Sequence, residues 1–273
     1  MQRRNQKLIE ESPAPNLEPG LRTKLLEDAL RAAKAGRYRS AGTVEFLVSG
    51  GTHYFLEVNA RLQVEHPVTE MVTGIDLVKA QLRLAGAAQG LPAQDQVTTH
   101  GHAIECRINA EDPRQNFLPF PGPITRWQEP AGAGIRVDGA GYAGGEVSSH
   151  FDSLLAKVIA RGNDRAEAIA RMDRALDEFV ITGVRTTVPF HRFALRAAPF
   201  AEGQYHTGTV AEIGPPPPPG PDLTRAASIA ALWARTLQRP AAKSVAGPRG
   251  RSVPPVALRS SFRAGRGGWF HEL

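Results

Sequence analysis

The stretch Glu57-Val-Asn-Ala-Arg-Leu-Gln-Val-Glu65 places Glu57, Asn59, Arg61, Gln63 and Glu65 on alternate positions, with Val58, Ala60, Leu62 and Val64 between them. A period of two is strand geometry, so an extended chain here is expected to bury the aliphatic face and to line up two carboxylates, two amides and a guanidinium on the other. A solvated strand face is the ordinary account of such alternation. Three further features point to chemistry.

The first is Glu45. Thr43 to Val48 and Thr52 to Leu62 are rich in β formers and are separated by Ser49-Gly50-Gly51, which reads as a hairpin. A loop with an odd number of residues, with Ser49 opposite His53, sets Glu45 facing Glu57, whereas a two-residue loop sets them on opposite faces. Facing carboxylates repel, at a cost of about 0.2–1 kcal/mol, unless a cation sits between them. Mg²⁺ is held by one or two carboxylates together with phosphate oxygens and waters, and Asn59 offers a further oxygen. The second feature is Arg61 beside Gln63, a planar fork and an amide suited to a small flat anion. The third is Glu65, one strand repeat further on, where a general base can reach the proton of that anion.

Working outward, Leu21, Leu25, Leu26, Ala29, Leu30 and Ala33 recur at helical spacing after Pro19, and Gly36 stands where a left-handed residue closes a helix. A second helix is expected from Asp76, with Leu77, Val78, Leu82 and Leu84 buried. Residues 89–99 are polar and turn-like and read as a boundary. Beyond them come a strand over Ala103 to Ile108, a Pro-rich bend from Pro113 to Pro123 and short β runs to about Val147. Next follow a helix capped by Asn163 or Asp164, with Ile169, Met172, Leu176 and Phe179 inward, and another from about Thr187. The result is a chain of α+β class. On the Ala103 to Ile108 run Arg107 shares a face with Glu105, and Cys106 points to the other side as a packed thiol.

After Ile213 come Gly214 and five consecutive prolines, which read as a polyproline II spacer. Residues 214–273 hold nine Lys/Arg against Asp222 and Glu272, so the formal charge of +6 belongs to this tail. It is expected to be largely disordered apart from a helix over Ala226 to Leu237. The high pI therefore says nothing about a basic patch on the body, and nucleic acid is not implied. The single cysteine, Cys106, permits no intrachain disulfide and fits a reducing compartment, the cytoplasm. No apolar run is long enough for a membrane helix. Gly139-Ala-Gly-Tyr-Ala-Gly144 spells a dinucleotide fingerprint but lacks the following helix. His100, His102 and Cys106 lack a fourth zinc ligand.

Glu45-Phe-Leu, Phe55-Leu-Glu-Val-Asn-Ala-Arg-Leu-Gln-Val-Glu-His-Pro-Val-Thr-Glu-Met71, Gly74-Ile-Asp-Leu77 and Gly101-His-Ala-Ile-Glu-Cys-Arg-Ile-Asn-Ala-Glu-Asp-Pro113 resemble the biotin carboxylase component of biotin-dependent acyl-CoA carboxylases of the acetyl- and propionyl-CoA type. Leu56 to Leu62 alone also resembles carbamoyl-phosphate synthetase and other ATP-grasp enzymes; Gln63 to Thr69 narrows the match. The resemblance implies the C-terminal part of an ATP-grasp domain over residues 1–98, a biotin carboxylase C-terminal α+β domain over 99–213 and a Pro-rich basic tail over 214–273.

By the same resemblance Glu45 and Glu57, with Asn59, hold Mg²⁺ or Mn²⁺, with two ions accommodated. Arg61, Gln63 and the Val64 backbone contact bicarbonate, and Glu65 is its base. Arg107 stabilises the biotin enolate and Lys7 is a catalytic lysine. Gln2, Leu47 and Glu57 contact ATP. Asn5 stands where many members have His, a departure seen among acyl-CoA carboxylase α chains. The implied reaction is ATP-dependent carboxylation of biotin through carboxyphosphate. The implied partners are a biotin carboxyl carrier domain or protein, a carboxyltransferase, an N-terminal half bearing the glycine-rich lid, and a second copy in a homodimer. A non-catalytic remnant or interaction module of the same fold stays open beside this reading, as does another ATP-grasp ligase.

Overall fold

The computed structural model describes residues 1–86 and 91–237. Residues 89 and 90 of the expected boundary segment and 238–273 of the tail lie outside the described residues.

The N-terminal residues form a tight hairpin, β1 (Gln2–Arg3) and β2 (Gln6–Lys7), followed by β3 (Ile9–Ser12). The first expected helix is α1 (Pro19–Ala35), whose N-terminus is capped by the Glu18 carboxylate accepting from the Gly20 and Leu21 amides. Gly36 closes it with right-handed backbone, and the left-handed residue is Arg37 at φ 49°. The expected hairpin is β4 (Thr43–Ser49) and β5 (Thr52–Asn59). Its second strand stops at Asn59, three residues short of the expected Leu62. Residues 61–65 turn into α2 (His66–Thr73), a helix the alternating pattern concealed. Asp76 caps α3 (Leu77–Ala85) by accepting from the Lys79 amide. The expected buried face of that helix is absent, for Val78, Leu82 and Leu84 are exposed and none of its residues is buried.

The core belongs to a four-stranded antiparallel sheet of β6 (His102–Asn109), β7 (Ile135–Gly139) and β8 (Leu154–Gly162) with β3, in the order β7-β8-β6-β3. The strand read over 103–108 is thus extended by one residue at each end. Helix α4 (Arg165–Glu178), capped by Asp164, lays Ala168, Met172, Ala175 and Leu176 on the sheet against Ile104, Val158 and Ala160. Cys106 is fully buried in this cluster, as its position predicts, and burial pushes its thiol pKa well up. Helix α5 (Val188–Arg196), entered through Thr187, adds Phe190, Ala194 and Leu195. Short strand pairs, 111–112 with 118–119, 122–123 with 146–147 and 126–128 with 180–182, fill the loops of this half.

Met1–Pro217 make one compact unit and the residues from Pro218 onward a second. The described part of the second is α6 (Pro221–Leu237), which starts five residues before the expected Ala226. No helix among the described residues is long and apolar enough to cross a membrane.

Candidate functional site

The β4–β5 hairpin reaches the predicted pairing of Glu45 with Glu57 by a route other than the expected one. Its loop is the two-residue Gly50-Gly51, with Ser49 paired to Thr52, Val48 to His53 and Phe46 to Phe55. That register alone puts the glutamates on opposite faces. A β-bulge then intervenes, leaving Leu56 as the extra residue, and Glu45 pairs directly with Glu57. The Asn59 amide nitrogen donates to both carboxylates, 3.1 Å to Glu45 Oε1 and 2.9 Å to Glu57 Oε1. Two facing carboxylates bridged only by an amide are a donor set that fits a hard divalent cation, with the Asn59 oxygen turned inward in place of its nitrogen. Among the described residues no group of three or more His, Cys, Asp and Glu converges as a metal cage.

Because β5 ends at Asn59, Arg61, Gln63 and Glu65 leave the expected straight line and curl round the Glu45 end of the hairpin. Gln63 Nε2 donates to Glu45 Oε1 at 3.0 Å. Arg61 makes only long bonds, at 3.3 Å to the Leu62 carbonyl, 3.3 Å to Asn59 Oδ1 and 3.5 Å to Gln63 Oε1, so its exposed fork is available to an anion. The Val64 carbonyl accepts from Lys157 Nζ at 3.0 Å, which pins this turn to β8. The expected burial of the aliphatic face is only partial, for Val58 and Ala60 are exposed while Leu62 and Val64 are half-buried.

Lys7 joins the two halves of the site. Its ammonium donates to Glu45 Oε1 at 3.0 Å and to Glu65 Oε1. Partial burial opposes the charged ammonium, but Glu65 and Glu45 outweigh it and the Lys7 pKa lies above the ordinary value. Burial likewise works against the Glu65 carboxylate, yet Lys7 and Arg107 hold its pKa below the ordinary range. Arg107 donates from one terminal nitrogen to Glu65 Oε2 at 2.9 Å and from Nε to Glu10 Oε1 at 2.6 Å. Its own carbonyl accepts from Thr187 Oγ1 at 2.9 Å and His191 Nε2 at 2.7 Å. His191 is fully buried, and desolvation pushes its pKa down to about 4, so it is a neutral donor.

Sequence reasoning missed Glu10 and Lys157, which lie beside Arg107 only through strand pairing, and it placed Glu105 on the Arg107 face without its burial. It also missed the wall of a cavity of about 870 Å³ lined by Met1, Gln2, Lys7, Phe46, Leu47 and, from distant sequence, Tyr205 and His206. Gln2, Lys7 and Leu47 thus share a space large enough for a nucleotide. Glu57 does not line it and stays with Glu45. Gly139 to Gly144 end β7 in a turn, and the His102 imidazole is bonded to Glu11 at 2.6 Å.

Residues 105–212 match the biotin carboxylase C-terminal domain, and residues 1–93 match the ATP-binding domain of the carbamoyl-phosphate synthase L chain. A pyruvate carboxylase subunit from Methanothermobacter thermautotrophicus is 50% identical over 212 residues, covering 78% of this chain and 43% of that protein. Biotin carboxylase 1 of Bacillus subtilis is 51% identical over 209 residues, covering 76% and 46%. Among solved structures, the biotin carboxylase domain dimer of Hydrogenobacter thermophilus 2-oxoglutarate carboxylase, in complex with MgADP, ADP and bicarbonate, superposes with a TM-score of 0.75. Its identity is 43%, with 78% of this chain and 47% of that chain covered. The chain therefore spans just under half the length of the relatives it matches, and its fold is the α+β fold of the ATP-grasp and biotin carboxylase C-terminal domains.

Proposed function

Since the chain is related to the biotin carboxylases, we propose that it supplies the metal, bicarbonate and biotin-facing half of an ATP-dependent biotin carboxylase. The observation that carries this reading is the continuous chain of contacts from the metal-type pair to the enolate-stabilising arginine, Glu57–Asn59–Glu45–Lys7–Glu65–Arg107. Glu45, Glu57 and Asn59 would hold a divalent ion, which would supply neutralisation of phosphate charge. In phosphoryl transfer, positioning and such neutralisation supply most of the catalysis.

The chain's own residues do the rest. Arg61 and Gln63 hold bicarbonate flat, and Glu65 takes its proton. Lys7 stands between the base and the metal pair, and its raised pKa keeps it charged where the transferring phosphoryl group is expected. Arg107 faces the charge that develops on the biotin oxygen. Gln2 and Leu47 belong to the cavity suited to the nucleotide.

In this reading the complete enzyme joins an N-terminal half, a biotin carrier and a carboxyltransferase, as a dimer in the cytoplasm. Its acceptor class is an acyl-CoA. Asn5 is the residue that favours this branch, although it also suits its own backbone, since it occupies left-handed φ 65° in the Arg4-Asn5 turn, where Asn is tolerated better than His. The test is binding of ¹³C-bicarbonate and Mn²⁺ to the folded chain. Arg61→Ala is expected to weaken the bicarbonate signal alone, and Glu45→Gln the Mn²⁺ signal alone. No binding of either ligand would leave a non-catalytic module of this fold.

A further inference from the structure

Three carboxyl groups crowd around one guanidinium. Glu10 on β3 pairs directly with Glu105 on β6, both side chains lie on the face that carries Arg107, and Glu65 approaches from the turn before α2. Arg107 holds Glu10 with Nε at 2.6 Å and with a terminal nitrogen at 2.5 Å, and the same terminal nitrogen reaches Glu65. Neither Glu105 oxygen has a partner, although the residue is wholly buried.

A buried carboxyl without a donor is expensive as a carboxylate. Burial, with Glu10 opposite, pushes the Glu105 pKa up to about 9. Burial raises the Glu10 pKa as well, but the guanidinium beside it pulls the other way. Of the facing pair, Glu10 is the member bonded to the guanidinium and Glu105 the one without a donor. The amine of Met1 and the ammonium of Lys157 also face this pair.

Glu65 shares this guanidinium with Glu10, and the inference rests on the reading of Glu65 as the base of the reaction. When the O–H bond of bicarbonate breaks and its proton passes to Glu65, the Glu65–Arg107 ion pair loses its negative partner. Arg107 is needed in the following step, at the biotin oxygen. A guanidinium held by Glu65 alone would be released at the moment it is required. We propose that Glu10 is a positioning residue that keeps the Arg107 guanidinium at the site while Glu65 carries the proton.

The test reads Arg107 directly and needs no turnover, so it stands or falls separately from the biotin carboxylase reading. In the chain labelled with ¹⁵N-arginine, Arg107→Lys identifies the Arg107 Nε–H signal. Glu65→Gln imitates the protonated base. The expected result at neutral pH is an Nε–H signal that keeps its shifted position and slow exchange in Glu65→Gln. In Glu65→Gln combined with Glu10→Gln it moves to the position of solvent-exposed arginine, with the Ile104 and Ile108 amide signals unchanged. Release of the signal in Glu65→Gln alone would overturn the proposal, as would its retention in the double variant. The single variant alters a residue at the edge of the core, so the refuting arm remains readable even if the double variant does not fold.

Discussion

Lys7 is the residue on which two charge systems meet. It neutralises Glu45 on the hairpin and Glu65 at the start of α2, and both contacts come from a residue 38 and 58 positions earlier in the chain. The depressed Glu65 pKa means that its stabilisation is complete above the unfolded value of 4.5 and is lost as pH falls through the lower folded value. In Lys7→Met the Glu65 titration is expected to move upward, read from its carboxyl ¹³C shift; an unmoved titration would show that Arg107 alone sets it. The roles proposed for Glu45, Glu57, Arg61 and Glu65 rest on alternation and residue type, which are local features of the sequence. Glu10 and Lys157 were not legible there, because nothing in Ile9-Glu-Glu-Ser12 or Ala156-Lys-Val158 announces that strand pairing brings them to Arg107.

At the scale of elements, the Leu56 bulge decides whether the hairpin holds a cation. The two-residue Gly50-Gly51 turn was visible as a glycine pair, and taken alone it predicts the wrong face for Glu57. The bulge was invisible, because Leu56 has no special backbone residue beside it and is exposed. Deleting Leu56 restores a regular ladder and turns Glu57 to the far face. Mn²⁺ affinity is then expected to fall by about 10- to 100-fold or more, measured by electron paramagnetic resonance, and unchanged affinity would remove Glu57 from the site. Strand β3 is fixed by another charge cluster. Glu11, with a side chain only 1% exposed, accepts from Arg165 on α4 and from Tyr205, and is bonded to His102 on β6. Glu11→Gln is expected to cost about 3–5 kcal/mol in urea unfolding, because it leaves buried cationic donors without their charge partner. Glu11 is also a depressed carboxyl, so this contribution fades as pH drops below its ordinary 4.5.

Across the molecule, the core and the candidate site meet at the four-stranded sheet, which carries Glu10 and Arg107. The sheet and α4 form the dense core, where Met172 is fully buried. Met172→Ala is expected to cost about 2–5 kcal/mol by cavity formation, read by thermal or urea unfolding, while bicarbonate and Mn²⁺ binding to the folded fraction stay unchanged. The hairpin and α3, in contrast, expose Val58, Val78, Leu82 and Leu84, side chains that periodicity assigns to buried apolar faces. Helical caps at Asp76 and Asp164 and the strand at His102–Asn109 were readable because each depends on neighbouring residues; the β3–β6 pairing, across more than 90 residues, was not. The central claim is that this chain carries the bicarbonate and metal machinery of a biotin carboxylase. The measurement that tests it most directly is bicarbonate-dependent ATP hydrolysis with Mg²⁺ and free biotin. It compares the chain alone, the chain with the separately expressed N-terminal half of Bacillus subtilis biotin carboxylase 1, and the same mixture with Glu65→Gln. The account predicts turnover on complementation that falls about 100- to 10,000-fold with Glu65→Gln. Folded protein that is silent in every combination, or turnover indifferent to Glu65, would contradict it.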